Sequence, residues 1–136
     1  MKKLYYILLI LIVSCTKNPD DIKQHVTGYW EIKEVTLNDG TKKQYNFNNT
    51  VDYIEINDTT GFRKKMKPNL DGTFQTSNNL ERFTVKVEKD SLNLYYKTPF
   101  SNWKETILHA NNNQLQVINK NKDLYLYQRY TPITLE

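Results

Sequence analysis

The chain has 136 residues, a quarter of them charged, a formal net charge of +4 and one cysteine. That length suits one domain, and a lone cysteine excludes an intramolecular disulfide framework. Lys2 and Lys3 account for two of the four net charges, so the rest of the chain is too nearly neutral to suggest nucleic acid as a partner.

After Met1-Lys2-Lys3, residues 4–13 run apolar. As a helix this run reaches only ~15 Å, about half of a hydrocarbon core, too short for a permanent span. A positive start, a short apolar run and a small residue at its end form an export signal. The run closes on Ile12-Val13-Ser14-Cys15, which resembles the lipobox of bacterial lipoproteins. The resemblance implies that Ile12 and Val13 fill apolar peptidase subsites, Ser14 the small site before the cut, and that Cys15 carries the lipid. Several acyl chains on Cys15 would hold the protein durably at the outer membrane, on its periplasmic or cell-surface face. Residues 1–14 are then a signal peptide and 15–25 a polar tether containing "TKNPDDIKQ", at most ~30 Å long when extended. Residues 26–136 are left as the domain.

Ten tyrosines and five phenylalanines favour strands over helices. Turn signals recur at Asn38-Asp39-Gly40, Asn57-Asp58, Asp71-Gly72, Asn78-Asn79, Lys89-Asp90-Ser91, from Pro99 to Asn102, at Asn111-Asn112-Asn113, and between Asn119 and Asp123. Between them the apolar residues alternate with period two. Phe83, Val85 and Val87 alternate with Arg82, Thr84 and Lys86, and Leu92, Leu94 and Tyr96 with Asn93 and Tyr95. Short alternating runs at this spacing predict an all-β antiparallel meander of about eight to nine strands, closed as a barrel to remove its edges. Core candidates are Trp30, Ile32, Tyr53, Phe83, Val85, Leu94, Trp103, Ile107, Val117 and Leu126. In residues 45–56 apolar side chains fall on both parities, which predicts a bulge or a strand buried on both faces.

Gly28-Tyr29-Trp30 opens the first strand as G-x-W and resembles the entry motif of lipocalin-like proteins. The resemblance implies that Trp30 plugs the closed end of a lipocalin-like barrel and that Arg129, in "LYLYQRY", packs on it. A guanidinium over an indole contributes ~0.5–2 kcal/mol. Lipobox, short tether and G-x-W meander together resemble the small lipocalin-like lipoproteins of Bacteroidetes.

Several stretches carry two readings. Arg63, Lys64, Lys65 and Lys67 form a dense basic run that suits either an anionic surface or the protection of a sheet edge, and Pro68 behind it marks an edge or strand end. Tyr125 and Tyr127 share a parity opposite to Leu124 and Leu126, so they line either the outer wall or a cavity. With Tyr53 and Trp103 they are the candidate ligand or partner contacts. Thr59 and Ser91 each follow an aspartate in a predicted turn, resembling the D-(S/T)-x O-glycosylation sequence of Bacteroidetes. His25 and His109 lack metal-ligand company, and the four glycines form no phosphate loop, so neither a metal nor a cofactor is expected. The expected protein is a monomeric, non-catalytic interaction or accessory module of the cell envelope, held at the membrane by its lipid. The alternative is a carrier or sensor of a small hydrophobic ligand.

Overall fold

The computed structural model describes residues 18–76 and 78–132. Cys15 and the residues before it lie outside them. The described chain begins with a short helix, α1 (Pro19–Lys23), where a tether was expected. The Asn18 side chain accepts a hydrogen bond from the Asp20 amide at 3.1 Å. Pro19 occupies the first turn, where its missing N–H costs nothing, and Asp20 and Asp21 sit at the positive end of the helix dipole. Ile22 and Val26 are buried and belong to the core. Two apolar residues four apart are too few to show as a helical period, yet they dock this turn against the strands Ser91–Lys97 and Asn102–Ala110. The second half of the 15–25 segment is therefore part of the domain.

Ten strands follow: β1 (Gly28–Thr36), β2 (Lys42–Gln44), β3 (Val51–Asn57), β4 (Thr60–Pro68), β5 (Phe74–Thr76), β6 (Glu81–Glu88), β7 (Ser91–Lys97), β8 (Asn102–Ala110), β9 (Gln114–Asn119) and β10 (Leu124–Arg129). Eight of them close a ring in the order β1-β3-β4-β6-β7-β8-β9-β10, with β10 pairing back onto β1. Every pairing is antiparallel. The short β2 and β5 lie off the ring, on the ends of β1 and β4. The expected all-β antiparallel barrel is thus present as eight ring strands plus two.

The turn residues explain the connections. Lys89 and Asp90 both take positive φ, 49° and 64°, as a two-residue hairpin matching the strand twist requires. Asp58 and Lys122 do the same singly, and Gly72 supplies a φ of 87°. Strand β3 shows no bulge: Val51 to Asn57 pair in continuous register with Met66 to Thr60. Val51 and Ile54 are both buried although they point opposite ways, so covering on both faces accounts for the mixed parity. The bulges fall in β1, between Ile32 and Glu34, and in β8, between Ile107 and His109.

Trp30, Phe83, Val85, Leu94, Ile107 and Val117 fill the core, and Trp103 packs on it. Ile32, Tyr53 and Leu126 are only half-buried. For Leu126 the unbroken register of β10 gives the reason, since Tyr125 and Tyr127 also pair with buried Val117 and Leu115. Tyr127 pairs with Ile32 and Tyr125 with Val35, while Leu126 pairs with Glu34. Directly paired residues share a face of the sheet, so Tyr125 and Tyr127 turn inward and Leu126 outward.

Candidate functional site

One end of the barrel is sealed by four residues whose geometry interlocks. The Trp30 indole is fully buried and donates its N–H to the Val26 carbonyl at 2.8 Å. The Arg129 guanidinium lies 4.0 Å from the centroid of the same ring. It donates to the carbonyls of His25 (2.7 Å), Thr27 (2.9 Å), Asn112 (3.0 Å) and Asn111 (3.3 Å). One planar fork of five N–H groups thus joins the start of β1 to the β8–β9 loop. Gly28 has φ +145°, and a Cβ there would strike the Arg129 side chain. The glycine of G-x-W is therefore required by the arginine that covers the tryptophan.

The other half of the interior is lined by charged and aromatic groups. Arg63 of β4 points inward, its Nε 3.2 Å from Glu81 of β6 and its Nη1 3.3 Å from Glu105 of β8. Its guanidinium stands 4.9 Å from the Tyr96 ring centroid. Tyr96 stacks on Trp103 at 4.8 Å with an interplanar angle of 4° and meets the edge of Phe83 at 5.0 Å. The Tyr96 hydroxyl is hydrogen-bonded to Glu105. Nearer the mouth, Asp52 of β3 is paired with Lys65 at 3.3 Å.

Burial pushes the Tyr96 and Tyr127 hydroxyls up from the usual phenol range, and the Arg63 charge only partly opposes this. Burial alone would lower Arg63, but the surrounding tyrosines and glutamates outweigh it and hold the guanidinium more firmly protonated. Each buried charge therefore has a partner already. Arg63 stands between two carboxylates, so no uncompensated cation is left for an anionic head group. The space an apolar ligand would take is occupied by Tyr96, Trp103, Tyr125 and Tyr127 packed on the core.

The basic run does not form one patch. The strand pleat sends Arg63 inward between carboxylates and Lys64 to the outer wall, while Lys65, paired with Asp52 near the mouth, and Lys67 near the strand end both stay exposed. Tyr53 lies on the outer wall, apart from Trp103, with its ring 4.8 Å from Tyr29 and its hydroxyl donating to Glu55 at 3.0 Å. Thr59 is exposed in the β3–β4 turn, and Ser91 is half-buried as the first residue of β7. The His109 ring meets the Asn111 amide at 3.0 Å. Among the described residues, no group of three or more His, Cys, Asp and Glu could hold a metal ion. The sequence reading missed the Arg63–Glu105 pair. Its signal was Glu105 itself, a charge on the apolar parity between Trp103 and Ile107.

Residues 26–117 match the family model described as a lipocalin-like domain. Among solved structures, a lipocalin-like protein from Bacteroides uniformis aligns with a TM-score of 0.49 at 8% identity, covering 78% of this chain and 99% of its own. An uncharacterized protein from Bacteroides eggerthii aligns at 0.48 and 9% identity, covering 77% and 99%. No curated protein matches.

Proposed function

The chain belongs to the lipocalin-like domain family, and from that premise we propose that it is a lipid-anchored, non-catalytic binding module of the outer membrane that recognises its partner with its outer surface. The observation that carries this reading is the paired Arg63, Glu81 and Glu105 among stacked aromatics, where a carrier would keep an apolar cavity. An eight-stranded barrel has room either for side chains or for one small ligand. Opening a cavity here would require moving a buried ion pair as well as the rings. The Ile12-Val13-Ser14-Cys15 sequence supports the anchor. With α1 starting at Pro19, only about 13 Å of extended chain would separate a lipidated Cys15 from the closed end. That end would then face the lipid, leaving the side wall and mouth free.

Two measurements test the reading. Wild-type protein is expected in the outer-membrane fraction and a Cys15→Ser variant in the soluble one; equal membrane partition of both refutes the anchor. Native mass spectrometry of the Cys15→Ser protein from its own periplasm is expected to give no non-covalent small-molecule adduct. A discrete added mass lost on denaturation would replace the module by a carrier. An added mass that survives denaturation would direct attention to Thr59 and Ser91.

A further inference from the structure

The outer wall of β6 to β9 carries a basic groove that no continuous stretch of sequence reveals. Register puts Arg82 beside Lys97, Thr84 beside Tyr95 and Tyr95 beside Lys104, and aligns Lys86, Asn93, Thr106 and Ile118 across four strands. Lys86, Lys97, Lys104 and Lys120 line a concavity of about 900 Å³ that has the Tyr95 ring in its wall and no carboxylate in its lining. A second hollow of about 470 Å³ shares Thr84, Tyr95 and Lys97 with it and adds Arg82 and, two strands further round, Glu55. Among the described residues, no salt bridge involves any of these five cations. The Lys86 and Lys104 ammonium groups instead lie 5.2 and 5.7 Å from the Tyr95 ring centroid.

The nearby carboxylate, Glu88, is already engaged. The Tyr95 hydroxyl and the Asn93 amide donate to it, and these bonds, with a smaller contribution from the Lys104 and Lys86 charges, hold its carboxyl below the usual range. Thr106 in turn donates to the Asn93 oxygen at 2.6 Å. The network holds the Tyr95 ring between Lys86 and Lys104, whose one nearby counter-charge, Glu88, is shared between them and already taken up by two hydrogen bonds.

We propose that this groove binds a linear anionic polysaccharide. The inference rests on the reading of the chain as a binding module and names its surface and partner. The groove floor is made of strands inside a closed ring, whose backbone groups are already paired, so a peptide could not add as a further strand. Recognition must come from side chains alone. A bilayer is matched by an apolar face that inserts between head groups, whereas this site is hollow and rimmed with polar groups. A polymer of sugar rings carrying repeated sulfate or carboxylate groups uses each feature present. Lysines meet the charges as flexible point cations, the fixed Tyr95 ring offers a flat stacking face, and Asn102, Thr84 and Thr106 offer hydroxyl and amide partners. With strands ~4.8 Å apart, the four-strand wall is about 15 Å across, wide enough for a few sugar units.

The test is calorimetric titration of the detergent-solubilised full-length protein with a heparin oligosaccharide, at several salt concentrations. Lys86→Ala/Lys104→Ala is expected to weaken binding at least about tenfold and to make its salt dependence shallower by about two counterions. The control Lys43→Ala/Lys67→Ala, away from the groove, is expected to leave affinity within about twofold. Tyr95→Phe, which keeps the ring but releases Glu88, should weaken binding modestly, and Tyr95→Ala should lose several-fold more, with melting temperatures checked separately. Equal loss in the groove and control pairs would overturn the proposal in favour of diffuse charge attraction. So would polyglutamate or vesicles of phosphatidylglycerol binding as tightly as the oligosaccharide with the same sensitivity to Lys86 and Lys104. Absence of any binding overturns the polysaccharide while leaving the module standing, because the module fails on a different result, a ligand found inside the barrel.

Discussion

Replacing Arg63 with methionine asks what an ion pair inside a small barrel contributes. At 3.3 Å and an effective dielectric near 20, the attraction between Arg63 and Glu105 is ~5 kcal/mol. Glu81 is as close, but its side chain is 35% exposed, and solvent screens that contact to a fraction of the same value. Opposing both is the desolvation of the two ions, several kcal/mol each, so the pair is near balance overall. Removing one member destroys that balance. The Glu105 side chain, 11% exposed, would be left without its counter-charge, and Arg63→Met should cost ~3–5 kcal/mol. Adding Glu105→Gln removes the stranded charge while still offering an oxygen to the Tyr96 hydroxyl. The double variant should therefore recover to within ~1–2 kcal/mol of wild type. Urea unfolding followed by tryptophan fluorescence reads the whole cycle, since Trp103 stacks on Tyr96 beside the pair. A loss below ~1 kcal/mol for Arg63→Met would mean that water solvates the pair through the mouth. A double variant as unstable as the single one would mean that packing, not charge balance, is what Arg63 supplies.

Gly28→Ala should lower stability by ~2 kcal/mol or more, because it imposes a positive φ on alanine and displaces Arg129; an unchanged urea midpoint would show that the guanidinium can move aside. Arg129→Lys should be nearly as damaging as Arg129→Ala, since one ammonium cannot reach four carbonyls and cover an indole together, and rescue by lysine in thermal denaturation would contradict the shared-fork geometry. Tyr127→Ala should cost ~2–4 kcal/mol, as expected for a ring packed on the core, whereas a change within 0.5 kcal/mol would return it to the surface. Because the folded state raises the Tyr96 and Tyr127 pKa values, native protein holds these protons more tightly than unfolded chain. Their contribution is then full below about pH 10 and is lost as the pH climbs through the folded values. Tyrosinate absorbance should lag behind that of free tyrosine until the protein unfolds, and Tyr127→Phe should flatten the alkaline fall in stability.

The barrel was legible because its information is local. Lys89-Asp90, Asp71-Gly72 and Asn111-Asn112-Asn113 each favour a turn by their own backbone preferences, and the alternating runs between them have no other use than one buried face. Gly28, Trp30 and Arg129 could be associated through a resemblance, but the reason for the glycine needed coordinates. The clash is with a side chain from the far end of the chain. Helix α1 was missed for the opposite reason. Its anchors, Ile22 and Val26, carry no periodic pattern, and its stability comes from docking, not from its own sequence.

The charged residues show why a β-barrel's surface is harder to read than its fold. In a strand, neighbours along the chain are on opposite faces and neighbours on a face come from different strands. A dense run is therefore divided by the pleat: Arg63 turns in to meet Glu105 and Lys64 turns out, while Lys65 reaches Asp52 from an exposed position near the mouth. The dispersed cations do the reverse. Lys86, Lys97, Lys104 and Lys120 sit on or beside four different strands and look unremarkable one at a time, and register gathers them around one tyrosine. A one-residue slip in any pairing would disperse them again and expose the core with the same step. Burial of Phe83, Val85, Leu94 and Ile107 on the inner face thus also enforces the basic face outside. The groove follows from the same pairing constraint that closes the core.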